Sequence, residues 1–475
     1  MWQEYICAFS IEDALQTLAK HKEKARVVAG GTDLVLEIKN GVRKDIHSLV
    51  DVTRVAGLDE ITLDEDGVIH LGPMVTHNHC VASKLIRENA LPLALASWEV
   101  GSPQIRNRGT VAGNLATASP ANDTITPLMA MGAAVTLKSL SGERKLPLED
   151  FYLGVRKTAM QPDEMIVDIS FPALKADQKG AYIKLALRRA QAISLLNVAV
   201  VLRMDGKLVK QAAITLGAVA PTIIHAVEAE NFLVGKPLTD ENIAQAAELA
   251  MASAKPISDV RASAAYRKTM TKVIVKRALH AIVDGSAGKD LPDNPVLLWG
   301  TSGEHHGALE HKVVLSHTDE IKTTINGEPY HFKNGFDKTL LRLLREDAGL
   351  VGAKEGCAEG ECGACTVYLD GVAVMSCMVP APRAYGAEIV TVEGLVQNGN
   401  LHPVQEAFVE ANAVQCGYCT PGFIMSATKL LEENPTPSQM EIKQAITGNL
   451  CRCTGYYSIV EAINVAAHKM RKDEQ

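Results

Sequence analysis

Eight of the ten cysteines in this 475-residue chain fall in two tight groups near its C-terminus. Cys357, Cys362, Cys365 and Cys377 read C-x4-C-x2-C-x11-C, whereas Cys416, Cys419, Cys451 and Cys453 read C-x2-C-x31-C-x-C. Four thiolates form the ligand set of one iron–sulfur cluster, and C-x4-C-x2-C with a distant fourth Cys is the plant-type [2Fe–2S] spacing. Gly356, Gly360 and Gly363 lie within the first loop, where a residue free to take positive φ lets backbone N–H groups approach cluster sulfurs. In the second group, Cys416 and Cys419 precede one expected helix, while Cys451 and Cys453 follow the end of another. Helix N-termini favour an anionic body of this kind. Zinc is the competing reading. Its usual return pair, C-x2-C or H-x3–5-H after a shorter span, is absent here. The last third of the chain is therefore expected to fold around two redox clusters and to move electrons.

The length allows about three domains. Hydrophobic residues make up 47% and charged residues 22%, so packed cores are expected and wholesale disorder is not. A formal net charge of −7 gives no reason to expect nucleic acid or an anionic membrane as partner. Apolar runs fall far short of the ~18 residues of a membrane span. Met1-Trp2-Gln3-Glu4 lacks the basic and apolar regions of a secretory signal. A reducing, cytoplasmic setting is expected, in which clustered cysteines bind metal or do redox chemistry rather than pair as disulfides. The remaining two, Cys7 and Cys80, read as buried thiols.

The first half reads α+β. Ser10 with Asp13 caps a helix bearing Ile11, Ala14, Leu15, Leu18 and Ala19 on one face. A strand at Arg26-Val27-Val28 leads into Ala29-Gly30-Gly31-Thr32-Asp33-Leu34. Strands are expected at Asn197–Arg203 and Ala212–Gly217, and helices near Thr239–Ala254 and Ser263–Ile282. Residues 284–316 are rich in Gly and Pro, hold His305 and His306, and read as a linker. Asn326-Gly327 signals a type I′ hairpin, and a helix is expected at Phe336–Glu346. From His402 onward the chain reads as helical, with Thr420 as an N-cap followed by Pro421 at the first helical position and a capping box at Ser438 and Glu441.

Two further loops carry chemistry. The segment Val27, Val28, Ala29, Gly30, Gly31, Thr32, Asp33 and Leu34 is a strand, a glycine pair and a polar helix start, a geometry that points backbone N–H groups at a phosphate. It is not G-x-G-x-x-G, so a plain Rossmann reading is unsupported. Thr110, Val111, Ala112, Gly113 and Asn114, followed by Thr117, Ser119 and Asp123, supply the small residues and hydroxyls that a pyrophosphate or ribityl chain needs. Two such loops beside two iron–sulfur sites favour a flavin, which takes electron pairs and hands them on singly. His77-Asn78-His79-Cys80 is a weaker metal candidate, lacking an evident further ligand.

Gln415-Cys416-Gly417-Tyr418-Cys419-Thr420-Pro421-Gly422, Asn449-Leu450-Cys451-Arg452-Cys453-Thr454-Gly455-Tyr456 and Glu355-Gly356-Cys357 through Cys365 resemble the iron–sulfur domain of molybdenum hydroxylases, the xanthine dehydrogenase and aerobic CO dehydrogenase family. Ala29–Leu34 and Thr110–Asn114 resemble the two FAD-binding loops of that family's flavin subunit. The resemblance covers nearly the whole chain outside the linker. It implies an α+β fold in four parts: a PCMH-type FAD-binding domain (1–175), an α+β C-terminal subdomain (176–283), a β-grasp ferredoxin-like domain (317–396) and a helical-bundle [2Fe–2S] domain (397–475).

The resemblance also implies FAD, two [2Fe–2S] clusters, and a large molybdopterin-binding subunit on which substrate is oxidised, in a dimer of heterodimers. Electrons then pass through the helical-domain cluster, the plant-type cluster and FAD to an acceptor such as NAD+, a quinone or a protein. It adds Val100, Gly101, Ile166 and Lys184 to the flavin positions, and places Gln415 and Cys453 beside the pterin. Two departures stand out. Flavin precedes iron–sulfur with no molybdenum domain following, which implies a fused electron-transfer subunit. Ala112 stands where the family commonly has Gly, an extra methyl beside the expected pyrophosphate in a loop that is still mostly small residues, and its effect is left open. No third cysteine set interrupts the flavin region, against the benzoyl-CoA reductase branch. The alternatives are a stand-alone NAD(P)H reductase, for which no nicotinamide site is recognisable, and a zinc-stabilised scaffold.

Overall fold

The computed structural model describes residues 2–301, 303 and 309–473. Two compact units emerge: Met1–Ala56, Gly101–Gly109 and Val296–Gln475 in one, and Gly57–Val100 with Thr110–Pro295 in the other. His305 and His306 lie outside the described residues. No helix among the described residues is long and apolar enough to cross a membrane.

The first unit opens with a small sheet. Strands Glu4–Cys7 and Ala25–Val28 flank Ser48–Asp51 in parallel, and Val313–Ser316 adds antiparallel to Glu4–Cys7. Helix Ile11–His21 makes the first crossover. Its capping box is formed by Ser10 and Asp13, and Ala14, Leu15 and Leu18 bury its apolar face. A second, five-stranded sheet follows the order Glu328–Phe332, Ile321–Ile325, Glu388–Val390, Thr366–Leu369, Val372–Met375. Its outer hairpin turns at Asn326 and Gly327, both with positive φ, as a type I′ turn demands. The parallel pairing of Ile321–Ile325 with Glu388–Val390 gives the mixed β-grasp arrangement. Helices Pro403–Glu410, Thr420–Glu433, Gln439–Ala445 and Tyr457–Asp473 then pack around Phe408, Phe423, Leu430 and Ile463.

Two elements differ from expectation. In place of a helix over Phe336–Glu346, a short turn Leu340–Arg342, N-capped by Thr339, runs into a π-helical turn, Leu343–Asp347. Leu340, Leu341, Leu343 and Leu344 are fully buried while Arg342 and Glu346 stay exposed and pair with each other, so the segment is amphipathic as expected, and its last turn widens to close Ala348 N on Leu343 O at 3.1 Å. The stretch 284–316 is also more than a spacer. Val313–Ser316 is a strand, and Val296 and Leu298 are buried in the core of the helical bundle. There the Glu433 carboxylate accepts backbone N–H groups from Leu297 (3.2 Å), Trp299 and Gly300 (3.3 Å).

The second unit holds an antiparallel sheet ordered Ile61–Leu63, Val68–Leu71, Met165–Pro172, Ala134–Ser139, Gly142–Pro147, with short helices inserted between residues 77 and 130. A second antiparallel sheet, Gln178–Leu185, Leu196–Asp205, Leu208–Gly217 and Ile224–His225, is backed by helices Asp240–Ser253 and Ala264–Val283. The fold is thus α+β throughout, with the helical bundle last. His79 Nδ1 accepts the Thr76 N–H in a capping box, and Cys80 is fully buried, its thiol pushed up to about 12 by burial. That quartet is a helix start. Cys7 is likewise buried and accepts from Arg54 at 3.2 Å.

Candidate cofactor sites

The first cysteine set converges on one point. Hydrogen bonds from the Cys362 and Cys377 thiols hold Cys357 well below its ordinary value, and the same contacts push Cys362 and Cys377 up. Cys377 also bonds Cys365 and holds it down against its burial. These four cysteines would hold one iron–sulfur cluster, which would supply one-electron transfer. Backbone N–H groups of Glu359 and Glu361 reach Cys357 Sγ at 3.3 Å, and Cys357 N reaches Cys362 Sγ at 3.4 Å. A Cβ on Gly356 would sit 2.8 Å from Cys362 Sγ, so the loop leaves room for sulfur and not for a side chain. Gly363, at φ +66°, would carry a Cβ 2.3 Å from the Gly448 carbonyl oxygen. The loop and the turn ahead of Cys451 are therefore pressed together. Leu450 N donates to Cys362 O at 3.0 Å, Asn449 Nδ2 to Gly363 O at 3.3 Å, and Tyr418 OH to Glu355 O at 2.6 Å.

In the second set, Cys416 and Cys419 lead into helix Thr420–Glu433, which starts with Cys419 as its N-cap. Burial, then contact with Cys451, pushes the Cys419 thiol up to about 12. Burial also opposes a Cys451 thiolate, yet the Thr454 hydroxyl (3.3 Å) and amide (3.5 Å) hold this thiol below its ordinary value. Cys453 is raised by its contact with Cys416. Cys416, Cys453 and Gln415 are exposed. Two four-thiol pockets with N–H donors aimed at sulfur fit two iron–sulfur clusters.

The flavin-type loops belong to different units. In the first, strand Ala25–Val28 ends in a turn with Gly31 at φ +77°, and Val35 N closes the helix start on Gly31 O at 2.9 Å. A Cβ on Gly30 would meet the Arg108 carbonyl oxygen at 2.1 Å, and Arg108 Nη2 donates to Ala29 O at 3.2 Å. Gly30 is thus buried against the Arg108–Gly109 backbone and Gly31 is partly buried, with Thr32 and the exposed Asp33 beyond them and Leu34 starting the helix. Gly101, at φ +50°, packs on Ile105.

In the second unit, Thr110 N-caps helix Val111–Thr117 through the Gly113 amide (2.9 Å). Ala112 is 6% exposed and packed in the apolar core with Val111 and Leu115, so its methyl faces inward and does not crowd the loop's open side. Asn114 Oδ1 accepts from Thr124 (2.6 Å), the Thr117 hydroxyl bonds Gly113 O (2.9 Å), and Ser119 Oγ accepts from Ala121 N (3.3 Å). Asp123 is the hub of a buried network, receiving Lys184 Nζ (2.7 Å), Ser194 Oγ (2.7 Å) and Tyr182 OH (2.9 Å). Lys184 Nζ also donates to Glu99 O at 2.9 Å. Val100 is partly buried, and Ile166 lies in the core at a β-bulge.

The sequence reading passed over Gln104, Asn107, Glu433, Tyr182 and Ser194. Gln104 Nε2 bonds Ser426 Oγ (3.0 Å) and Asn449 Oδ1 (3.1 Å), and Asn107 Nδ2 bonds Ala373 O (2.9 Å), fastening the 101–109 segment to the iron–sulfur elements. No local pattern flags these residues, because these partners lie between 59 and 345 positions away.

Four family models match in order along the chain. They are the FAD binding domain in molybdopterin dehydrogenase (residues 2–174), the CO dehydrogenase flavoprotein C-terminal domain (181–282), the 2Fe-2S iron-sulfur cluster binding domain (323–386) and the [2Fe-2S] binding domain (391–464). The nicotinate dehydrogenase small FeS subunit of Eubacterium barkeri is 49% identical over 149 residues, covering 31% of this chain and 95% of that relative. The carbon monoxide dehydrogenase medium chain of Hydrogenophaga pseudoflava is 32% identical over 278 residues, covering 58% of this chain and 96% of the relative. A solved chain of carbon monoxide dehydrogenase from Hydrogenophaga pseudoflava, lacking the Mo-pyranopterin moiety of its cofactor, superimposes with TM-score 0.57 at 32% identity, covering 60% of this chain and 98% of that one.

Proposed function

The chain belongs to the molybdenum hydroxylase family, and from that membership we propose that it is the fused electron-transfer subunit of such an enzyme. It takes electrons from a molybdopterin centre on a separate large subunit, passes them through two [2Fe–2S] clusters to FAD, and delivers them to an acceptor such as NAD+, a quinone or a protein. When bound, FAD exchanges electrons in pairs or singly and each cluster exchanges one.

The observation that carries this reading is the presence, on one chain, of two converged four-thiol pockets and two glycine-bearing flavin-type loops. The chain's residues do the holding. Cys357, Cys362, Cys365 and Cys377 grip one cluster, and Cys416, Cys419, Cys451 and Cys453 grip the other. Val27–Leu34, Val100, Gly101, Thr110–Asn114, Thr117, Ser119, Asp123, Ile166 and Lys184 hold FAD. Exposed Gln415 and Cys453 mark the face for the molybdenum subunit, in a dimer of heterodimers. Ten cysteines without a disulfide among the described residues support a reducing, cytoplasmic setting.

The test is anaerobic co-purification followed by substrate reduction. A large molybdopterin-containing protein should copurify, and its substrate should bleach flavin and iron–sulfur absorbance together in the complex but not in this chain alone. A colourless chain, or one that oxidises substrate with no molybdenum present, would overturn the proposal.

A further inference from the structure

Glu4, His21 and His47 lie apart from the cofactor-bearing residues and have no part in the function proposed above. They come from three elements of the first sheet. Glu4 opens strand Glu4–Cys7, His21 closes helix Ile11–His21, and His47 immediately precedes strand Ser48–Asp51. The backbone fixes their spacing: Gln3 N and Glu4 N donate to His47 O at 2.8 and 2.9 Å, and His47 N donates to Lys24 O at 2.7 Å. His47 Nδ1 is 3.5 Å and His21 Nε2 4.0 Å from Glu4 Oε2, and all three atoms lie within 4.8 Å of one another. The side chains are partly buried yet open to solvent. The two imidazoles stack at 4.3 Å with 15° between their planes. Burial, then the neighbouring His47 and Lys20, hold His21 below its ordinary value.

We propose that Glu4, His21 and His47 form a binding site for one divalent transition-metal ion of the zinc class. The site supplies two imidazole nitrogens and one carboxylate oxygen, and water takes the fourth position. Zinc–nitrogen bonds of about 2.0–2.1 Å in a tetrahedron set donor atoms about 3.3 Å apart. The Glu4–His47 edge is near that separation, the Glu4–His21 edge closes by several tenths of an ångström, and the rings splay out of their stack as the ion enters. Ser48 Oγ donates to Glu4 Oε2 at 3.0 Å and lies 2.9 Å from His47 Nδ1, so the ion would displace the Nδ1 proton that this hydroxyl accepts and leave the hydroxyl bonded to the carboxylate. The ion would cross-link a strand, a helix end and the start of a second strand, and so stabilise the N-terminal sheet.

The probe is cadmium-113 added to the holoprotein with its iron–sulfur clusters oxidised, read by NMR, because cadmium shifts separate nitrogen and oxygen ligands from thiolates. One equivalent should give a resonance in the nitrogen/oxygen region that zinc displaces, and zinc should raise the thermal midpoint. His21→Ala and Glu4→Gln, with unchanged flavin and iron content, should each weaken binding at least tenfold and abolish the thermal shift. No resonance, a resonance only in the thiolate region, or a nitrogen/oxygen resonance that persists in both variants would each overturn the assignment. Neither outcome touches the electron-transfer proposal, whose readouts are flavin and iron.

Discussion

Arg383→Met is the sharpest test of how the first unit holds together. Arg383 is fully buried. Its Nη2 lies 2.6 Å from Asp370 Oδ2, and its Nε lies 2.9 Å from Thr53 Oγ1 and 3.8 Å from Asp51 Oδ2. The two carboxylate side chains are 1% and 3% exposed. Burial works against the guanidinium's charge, but Asp370 and Asp51 hold its pKa above the ordinary value. Removing the cation strands two buried anions, a change that costs about 3–5 kcal/mol. The lower end applies here, since Tyr5 OH and Thr53 N still donate to Asp51 at 2.8 Å and Glu388 N to Asp370 at 2.9 Å.

The pH dependence has a definite sign. Burial alone would raise Asp51, yet Arg383 and Arg54 outweigh it and leave the carboxyl below its ordinary value. A carboxylate depressed in the folded state contributes stability that is complete above its unfolded value and is lost as pH falls through the folded one. The variant loses much of that depression, so its deficit should be largest near neutrality and shrink on acidification. The assay is urea unfolding followed by bleaching of the iron–sulfur absorbance, a local probe suited to a multidomain chain that does not unfold in one step. The deficit should be equal at about pH 7.5 and about pH 5, both above the unfolded carboxylate value of about 3.9, and should shrink at about pH 3.5. The companion Arg383→Met/Asp370→Asn should recover part of it. A deficit under about 1 kcal/mol, or one that grows on acidification, would refute the reasoning.

Gly30→Ala drives a Cβ against the Arg108 carbonyl at 2.1 Å, an overpacking cost of about 1–3 kcal/mol; the flavin-to-iron ratio of the purified protein should drop while iron is retained. Cys377→Ser removes the fourth ligand of the plant-type set, so about half the iron and one of two paramagnetic signals should disappear. Lys184→Met leaves Asp123 buried without its cation, the side chains being 3% and 10% exposed. It should destabilise the second unit by about 3 kcal/mol and weaken FAD retention, as measured by flavin release on dilution. Intact flavin retention in that variant would remove Lys184 from the site.

What the sequence made legible was local. The cysteine spacings, the Ser10/Asp13 and Ser438/Glu441 capping boxes and the Asn326-Gly327 turn each depend on residues a few positions apart, and the structure forms all three of the latter. What stayed hidden was non-local. Nothing near residue 297 announces that Glu433 will clamp it, and nothing in Val313–Ser316 announces pairing with a strand some three hundred residues earlier. The leucines at 340–344, with Arg342 and Glu346 exposed opposite them, announced a helical segment, but that spacing does not tell an α turn from a π turn. For Ala112 the resemblance fixed its place in the chain but not its surroundings, an apolar core shared with Val111 and Leu115.

The seating of residues 101–109 among the iron–sulfur elements has a practical consequence for anyone dividing the gene. A cut within 284–316 would appear to release two tidy products, one upstream and one downstream. The upstream product would nonetheless carry Gln104 and Asn107 away from Ser426, Asn449 and Ala373, breaking the amide hydrogen bonds that fasten them there. The fragments should therefore express poorly apart and recombine when mixed, so fusion here spares the halves a bimolecular search for each other.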